Sequence, residues 1–341
     1  MPLQLRRRPP HMAVTIDAPA RLHLGFLDPN ASLGRAFGSL GLVIDAQGTR
    51  VEARLSEHEQ IDGAVTDAER ERIALCLARL QAAYGPATVA IDVTHAPRAH
   101  TGLGSGTQLA LAVGTAFTRL LGQPASSAEL ARLLGRGARS GIGILGFDAG
   151  GLLLDGGPTG DLRQGIPPLL ARQAFPPEWR VLLVHDHARQ GLHGGEERRA
   201  LASLAPFPQQ LAAHLCHLVL MRILPGVAEH DFAPFAHGLT EMQQTIGEYF
   251  ASAQGGVFSS PDVERVLRVV AAERVAGIGQ TSWGPTGFAI VASAREADSA
   301  LATAREAARG MPQIECEIVA GRNSGAAVHC TEACAQRIDA A

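Results

Sequence analysis

Pro97-Arg-Ala-His-Thr-Gly-Leu-Gly-Ser-Gly-Thr-Gln108 is a glycine-spaced loop between two patterned segments. Before it, Val89, Ile91 and Val93 alternate as a half-buried strand does; after it, an apolar run predicts a buried helix from Gly106 to Leu121, with Gly122 as its stop. Gly102, Gly104 and Gly106 let the backbone turn tightly and come close to a ligand. The helix start adds unpaired N–H groups and a partial positive charge, and Thr101, Ser105, Thr107 and Gln108 add hydroxyls and an amide. A plain strand–helix turn could carry the same glycines, but the strand before and the helix after favour a phosphate seat. The chain has no lysine, so all 30 basic residues are arginine. A phosphate must then be held by arginine, by backbone N–H groups or by a metal.

Upstream of the loop stands Pro19-Ala-Arg-Leu-His-Leu-Gly-Phe-Leu-Asp28, followed by Gly34-Arg35. On a strand, Arg21 and His23 share one face, and that pair suits an anionic substrate. Asp28 and Arg35 are further polar candidates. Downstream lies Arg139-Ser-Gly-Ile-Gly-Ile-Leu-Gly-Phe-Asp148, with Gly150-Gly151 and Asp155 behind it. A second glycine-rich loop, Gly277-Ile-Gly-Gln-Thr-Ser-Trp-Gly-Pro-Thr-Gly287, offers Gln280, Thr281, Ser282 and Thr286 around the aromatic plate of Trp283. Its tryptophan can stack on a flat ligand or pack into the core. The segment His185-Asp-His-Ala-Arg-Gln-Gly-Leu-His193 follows a strand, and Glu196 and Glu197 after it suit a helix start. His185 and His187 read as surface residues ahead of a metal pair, and His214 and His217 as structural.

Around these motifs the chain reads as α+β. Strands are expected at Val14–Ile16, Leu40–Ile44, Val51–Leu55, Val181–Val184, Gly287–Ala292 and Ile314–Val319. Helices are expected at Ala68–Tyr84, from a cap at Ser127 to Leu134, at Gln209–Leu224, along the apolar face Phe232, Phe235, Leu239, Met242, Ile246 and Phe250, from Pro261, and at Ala294–Gly310. The stretch from Gly135 to Gly157 is dense in glycine. Phe175-Pro-Pro-Glu178 marks the expected boundary between an N-terminal domain (13–175) and a C-terminal domain (176–341), behind a disordered leader (1–12).

With 341 residues, 46% hydrophobic and 18% charged, the chain can bury a sizeable core. A net charge of -3 gives no basic field for nucleic acid. No membrane span or signal peptide is expected, which leaves the cytoplasm as the expected location. Cys76, Cys216, Cys316, Cys330 and Cys334 form no disulfide framework and read as free thiols; His329, Cys330 and Cys334 lack a second pair of metal ligands.

Taken together, the motifs resemble the GHMP superfamily of small-molecule kinases. Pro19–Leu24, Pro97–Gln108 and Gly277–Gly287 match its three motifs in order. The resemblance implies two domains with the active site in the cleft between them. Within the superfamily the chain looks more like the β-ribofuranosylaminobenzene 5′-phosphate synthase branch, through Ala18–Asp28, Gly102–Gln108, Arg139–Ile144, Phe147-Asp-Ala-Gly-Gly-Leu152 and Gly279–Thr286. Kinases of this fold usually carry a serine pair where this loop has Ser105-Gly-Thr-Gln108, and many place a catalytic aspartate several residues before a Gly-Gly pair. Here Asp148 stands too close to Gly150-Gly151.

That resemblance implies a Mg2+-dependent homodimer. It joins phosphoribosyl pyrophosphate to 4-aminobenzoate or 4-hydroxybenzoate with loss of pyrophosphate and CO2, in methanopterin biosynthesis. It casts the loop from Thr101 to Gln108 as the pyrophosphate seat, and Arg21, His23, Asp28, Arg35 and Asp148 as catalytic. Ser105 and Asp148 become candidate metal ligands. Arg139, Ser140, His193, Gln280, Thr281, Ser282, Trp283 and Thr286 become candidate substrate contacts. An ATP-dependent kinase of the same fold, or a ligand-binding protein without catalysis, would use the same loop and arginines.

Overall fold

The computed structural model describes residues 12–158, 166–192 and 194–332. His193 lies outside the described residues, as do the leader up to His11 and Cys334. The first half of the chain runs β1 (Met12–Asp28), β2 (Phe37–Leu55), β3 (Gln60–Gly63), α1 (Asp67–Tyr84), β4 (Val89–His95), α2 (Ser105–Leu120), α3 (Ser127–Leu133), α4 (Ile142–Ala149), β5 (Leu152–Asp155) and β6 (Leu169–Gln173). The second half runs β7 (Arg180–Asp186), α5 (Gly194–Ser203), α6 (Gln209–Leu218), a π turn (Val219–Ile223), α7 (Leu224–Ala228), α8 (Phe232–Gln254), α9 (Pro261–Glu273), β8 (Gly277–Gln280), β9 (Thr286–Val291), α10 (Ala294–Ala307), β10 (Ile314–Ala320) and β11 (Ala327–Glu332). Helices and strands mix without regular βαβ alternation, as the α+β reading expects; β3 and β4, joined by α1, pair in parallel.

A seven-stranded sheet is ordered β11-β1-β2-β4-β3, with β5 on β2 and β6 on β5. A four-stranded antiparallel sheet is ordered β10-β7-β9-β8. The Phe175–Glu178 break falls between β6 of the first sheet and β7 of the second. The last described strand, β11, returns to the first sheet and pairs antiparallel with β1 from Met12↔Glu332 to Asp17↔Ala327.

β1 serves two cores. Val14, Ile16 and Ala18 pack with the apolar faces of α1 and α2. After the register shift between Ala18 and Ala20, the side chains of Ala20, Leu22 and Leu24 join a second cluster with α6, α8 and the inner face of β7. Both sets are buried, each large side chain contributing about 1.5–3 kcal/mol on burial. The alternation leaves Arg21 and His23 on the opposite face.

Several local expectations shift by small amounts. Ser126, not Ser127, caps α3: its side chain accepts from Glu129 N while Glu129 returns to the Ser126 backbone, a reciprocal capping box. The glycine-dense stretch contains the helix α4, whose glycines fit against neighbours; a Cβ on Gly146 would come 2.8 Å from Val43 Cγ2. Gln209–Ala228 is long and apolar enough to cross a membrane by length and composition. In the fold its Ala212, Leu215, Leu218, Val219 and Ile223 are buried in the core. The four described cysteines are free thiols.

Candidate active site

α2 begins at Gly104 in the left-handed conformation (φ 83°), and no side chain caps its first N–H groups. A missing cap leaves about 1 kcal/mol of stabilisation to be supplied from elsewhere, and the open end of this 16-residue helix faces the glycine-rich loop. The loop is pressed against the β8–β9 turn. A Cβ on Gly102 would stand 2.3 Å from the Thr281 carbonyl oxygen, and one on Gly284 2.3 Å from that of Thr101. Thr281 Oγ1 donates to Gly102 O at 2.8 Å and accepts from His23 N at 2.9 Å. Three distant segments, β1, the phosphate-type loop and the turn after β8, are therefore tied by backbone contacts.

On the β1 face left by the alternation, Arg21 and His23 line a cavity of about 290 Å³. Arg21 Nη1 donates to Gly102 O at 2.5 Å, while its Nε is buried with no partner. Burial lowers the Arg21 guanidinium to about 10, so it is charged at neutral pH. His23 is 5% exposed and its Nε2 is likewise without a partner. Burial, with Arg21 and Arg139 adding repulsion, pulls the imidazole down to about 3 and keeps it neutral.

Thr107, Arg139, Ser140, Gln280, Ser282 and Trp283 line the same cavity. Arg139 Nη2 bonds Glu197 of α5 at 2.6 Å, and its Nη1 is a buried donor without a partner. Asp155 holds this wall from behind, accepting from Gly141 N at 2.8 Å, Ser140 Oγ at 3.2 Å and Gly157 N at 2.9 Å. The lining also includes apolar side chains, Phe26, Ile246, Phe250, Val257, Phe258 and Trp283, with the Phe26 ring 4.6 Å from that of His23. Phe250 and Trp283 sit with ring centroids 4.5 Å apart.

Other expected site residues serve the frame. Thr281 is buried behind the cavity, and Thr286 bonds the His185 ring at 3.0 Å. His185 and His187 each face a carboxylate of β10, Glu317 and Glu315. Gln108 is buried and its Nε2 ties α2 to Gly143 O in α4. Ser105 and Gly106 face a narrow slot on the outer side of the loop.

Asp28, Arg35 and Asp148 do not line the cavity. Asp28 closes its own turn, accepting from Asn30 N, Ser32 N and Ser32 Oγ. Arg35 Nη1 donates to Gly157 O at 2.8 Å, and Asp148 accepts from Ser127 Oγ.

Among the described residues no three His, Cys, Asp or Glu side chains cluster to hold a metal ion. Ser105 lines the slot, while Asp148 accepts from Ser127 Oγ and lines neither the slot nor the cavity. Glu69 and Glu197, the carboxylates lining the slot and the cavity, are engaged by Thr66 and Arg139. Mg2+ is usually held by one or two carboxylates together with substrate phosphates rather than by an all-protein cage.

Sequence reasoning passed over Arg136, Gln243 and the aromatic wall of α8. Arg136 is bracketed by Gly135 (φ 68°) and Gly137 (φ 86°), an arginine between two left-handed glycines. Gln243 breaks the apolar stripe of α8; its Nε2 donates to Leu24 O and its Oε1 accepts from Gln280 N. A polar side chain inside an apolar stripe is the signal that could have found it.

Residues 71–150 match the GHMP kinases N terminal domain and residues 223–310 the GHMP kinases C terminal domain. The chain is 34% identical over 290 residues to the beta-ribofuranosylphenol 5′-phosphate synthase of Archaeoglobus fulgidus, covering 82% of this chain and 88% of that one. The protein of the same name from Methanothermobacter thermautotrophicus is 28% identical over 292 residues, covering 81% and 88%. Among solved structures, homoserine kinase from Cytophaga hutchinsonii superimposes with a TM-score of 0.65 at 16% identity, covering 96% of this chain and 100% of that one. Mevalonate diphosphate decarboxylase from Staphylococcus aureus gives 0.67 at 12%, covering 93% and 98%. The solved structures speak for the fold alone, but a third of identical residues along most of both chains speaks for descent: this chain is an enzyme of the beta-ribofuranosylphenol 5′-phosphate synthase family, on the α+β fold of the GHMP kinases.

Proposed function

We propose that the cavity joins phosphoribosyl pyrophosphate to a para-substituted benzoate, releasing pyrophosphate and CO2 and leaving a C-riboside phosphate. What supports this reading is the make-up of the cavity lining: three guanidiniums, Arg21, Arg136 and Arg139, against one carboxylate, Glu197, which is held by Arg139, together with apolar and aromatic side chains.

In this reaction the C1–O bond of the ribose breaks and its electron pair leaves with pyrophosphate. Oriented donors at the site of that developing charge lower the barrier; here they are the N–H groups at the start of α2 and the neighbouring guanidiniums. The ring carbon bearing the carboxylate attacks C1. The C–CO2 electron pair then returns to the ring as CO2 departs, so no base removes a ring proton. His23, pulled down to about 3, is a weak base and Glu197 is ion-paired, which suits chemistry that asks for no base, whereas phosphoryl transfer to an alcohol commonly uses one.

Arg21 and Arg139 suit the 5′-phosphate better than the benzoate carboxylate, because clamping the carboxylate would stabilise the ground state that must lose CO2. The aryl ring then lies against Phe250 and Trp283. Any Mg2+ enters on the substrate's own phosphate oxygens. The relatives' name favours 4-hydroxybenzoate as acceptor, with 4-aminobenzoate as the alternative, in methanopterin biosynthesis by a cytoplasmic homodimer.

The test mixes the purified protein with Mg2+, phosphoribosyl pyrophosphate and carboxyl-labelled 4-hydroxybenzoate or 4-aminobenzoate and counts released CO2; a parallel tube holds ATP in place of the ribosyl donor. Release that depends on the ribosyl donor is the expected result. Silence with both acceptors would return the site to a kinase reading and to alcohol acceptors.

A further inference from the structure

His23 carries a buried nitrogen, Nε2, with no hydrogen-bond partner among the described residues, in a ring that is 5% exposed and lines the cavity. A bond to its own backbone strengthens the ring's hold on a proton, so the ring is the donor in it; since Nε2 is without a partner, that donor is Nδ1. Nε2 therefore keeps a free lone pair. An anionic oxygen is repelled by a lone pair, so the ring does not share a phosphate with Arg21. What it can take is an O–H or an N–H. The amide and carboxylate acceptors of the same lining are engaged: Gln243 Oε1 receives Gln280 N, Gln254 Oε1 receives Gln280 Nε2, Gln280 Oε1 receives Ser259 N, and the Glu197 carboxylate meets Arg139.

The surroundings of this ring are aromatic. Phe26 stands edge-on to it with ring centroids 4.6 Å apart. The His23 carbonyl accepts from Ser282 N at 3.3 Å, which joins this strand to the turn that carries Trp283. Arg21 and Arg139 are the charges that bear on the ring. In a β-riboside the aryl group and the 5′-phosphomethyl group lie on one face of the sugar, so arginines for the phosphate and a reader for the aryl group can share a wall.

We propose that His23 Nε2 accepts a hydrogen bond from the para hydroxyl or amino group of the aryl acceptor, and thereby both selects the acceptor and activates it. This rests on the proposed riboside-forming reaction and names the residue that reads its acceptor. As the ring carbon bearing the carboxylate bonds to C1, the para atom feeds electrons into the ring and becomes positive. Its hydrogen bond to the lone pair strengthens in that step, and relaxes when the C–CO2 electron pair returns to the ring. The proton begins and ends on the substituent. Held down to about 3, the imidazole is too weak a base to keep it.

The test measures binding of 4-hydroxybenzoate and 4-fluorobenzoate by calorimetry, with ribose 5-phosphate present, to the full-length wild type and to His23→Phe. Fluorine is close to a hydroxyl in size and carries no proton. Wild type should prefer the hydroxyl about tenfold or more, and His23→Phe should lose that preference by losing 4-hydroxybenzoate alone. Ribose 5-phosphate itself should bind the variant within about twofold of wild type. Release of CO2 from labelled 4-hydroxybenzoate should fall about a hundredfold in His23→Phe, further than binding does, because the bond strengthens as charge develops. His23→Leu takes the place of His23→Phe if the latter does not fold.

No binding of 4-hydroxybenzoate by wild type, equal binding of the two benzoates, or a preference that survives in the variant would each overturn the assignment. So would a variant that loses ribose 5-phosphate instead, which would put His23 on the sugar. Wild type that prefers 4-hydroxybenzoate through His23 yet releases no CO2 from it or from 4-aminobenzoate would leave the hydrogen bond standing and bring down the proposed reaction.

Discussion

Arg21 combines a bond to the loop backbone with a buried, unsatisfied Nε. Arg21→Ala should lose most turnover, about a hundredfold or more, while the melting temperature stays near wild type. Arg21→Lys should recover little, since an ammonium lacks the planar fork; a near wild-type rate in either variant would remove Arg21 from the site. His23 carries a pH prediction. Its folded value is about 3 against 6.5 in the open chain, so between those values the unfolded state binds a proton that the native state does not. Stability should therefore fall as pH drops below 6.5 and level off near 3. His23→Gln should flatten that slope in unfolding titrations. Arg21 and His23 were legible in the sequence because strict alternation on a strand puts both on one face. Asp28 was misleading for an equally local reason: Asn30 and Ser32 follow at the spacing of a turn that absorbs its carboxylate.

α5 buries none of its residues fully, and Glu197 on it holds Arg139 in the cavity lining. An incoming phosphate competes with that carboxylate for the same guanidinium. Glu197→Gln should tighten ribose 5-phosphate binding about threefold, and weaker binding would show instead that Glu197 orients Arg139. At this scale the glycine-rich loop and α2 were readable, because glycine spacing and an apolar run are both written in consecutive residues. The aromatic wall was not. Phe250 reads as one more core residue on the face of α8, and only its contact with Trp283 in the cavity lining makes it a site residue. Arg136 likewise borders both the cavity and the slot beside α2, a placement that no spacing along the chain encodes.

The molecule as a whole is sewn together by its late residues. β11 pairs with β1 and brings Val328 against the α1–α2 core, so ending the chain at Gly325 should cost about 2 kcal/mol or more, seen as a lower midpoint in denaturant. An unchanged midpoint would make that strand dispensable. Nothing between Val319 and Glu332 announces a return to the first sheet, since strand partners far apart in sequence are chosen by the fold. The same holds for the seam at Gly102 and Gly284. Gly102→Ala would drive a methyl to 2.3 Å from a carbonyl oxygen at a φ of +88°, and should cost about 3 kcal/mol or more in thermal unfolding and most of the activity.

That seam has an evolutionary reading. Two backbones in direct contact cannot be changed one at a time, so a lineage that alters the loop around Gly102 must alter the turn around Gly284 in the same step. The aromatic side chains of the α8 wall are under no such bond. Acceptor preference is thus the trait this architecture leaves open to single substitutions, and phosphate handling is the inheritance it locks.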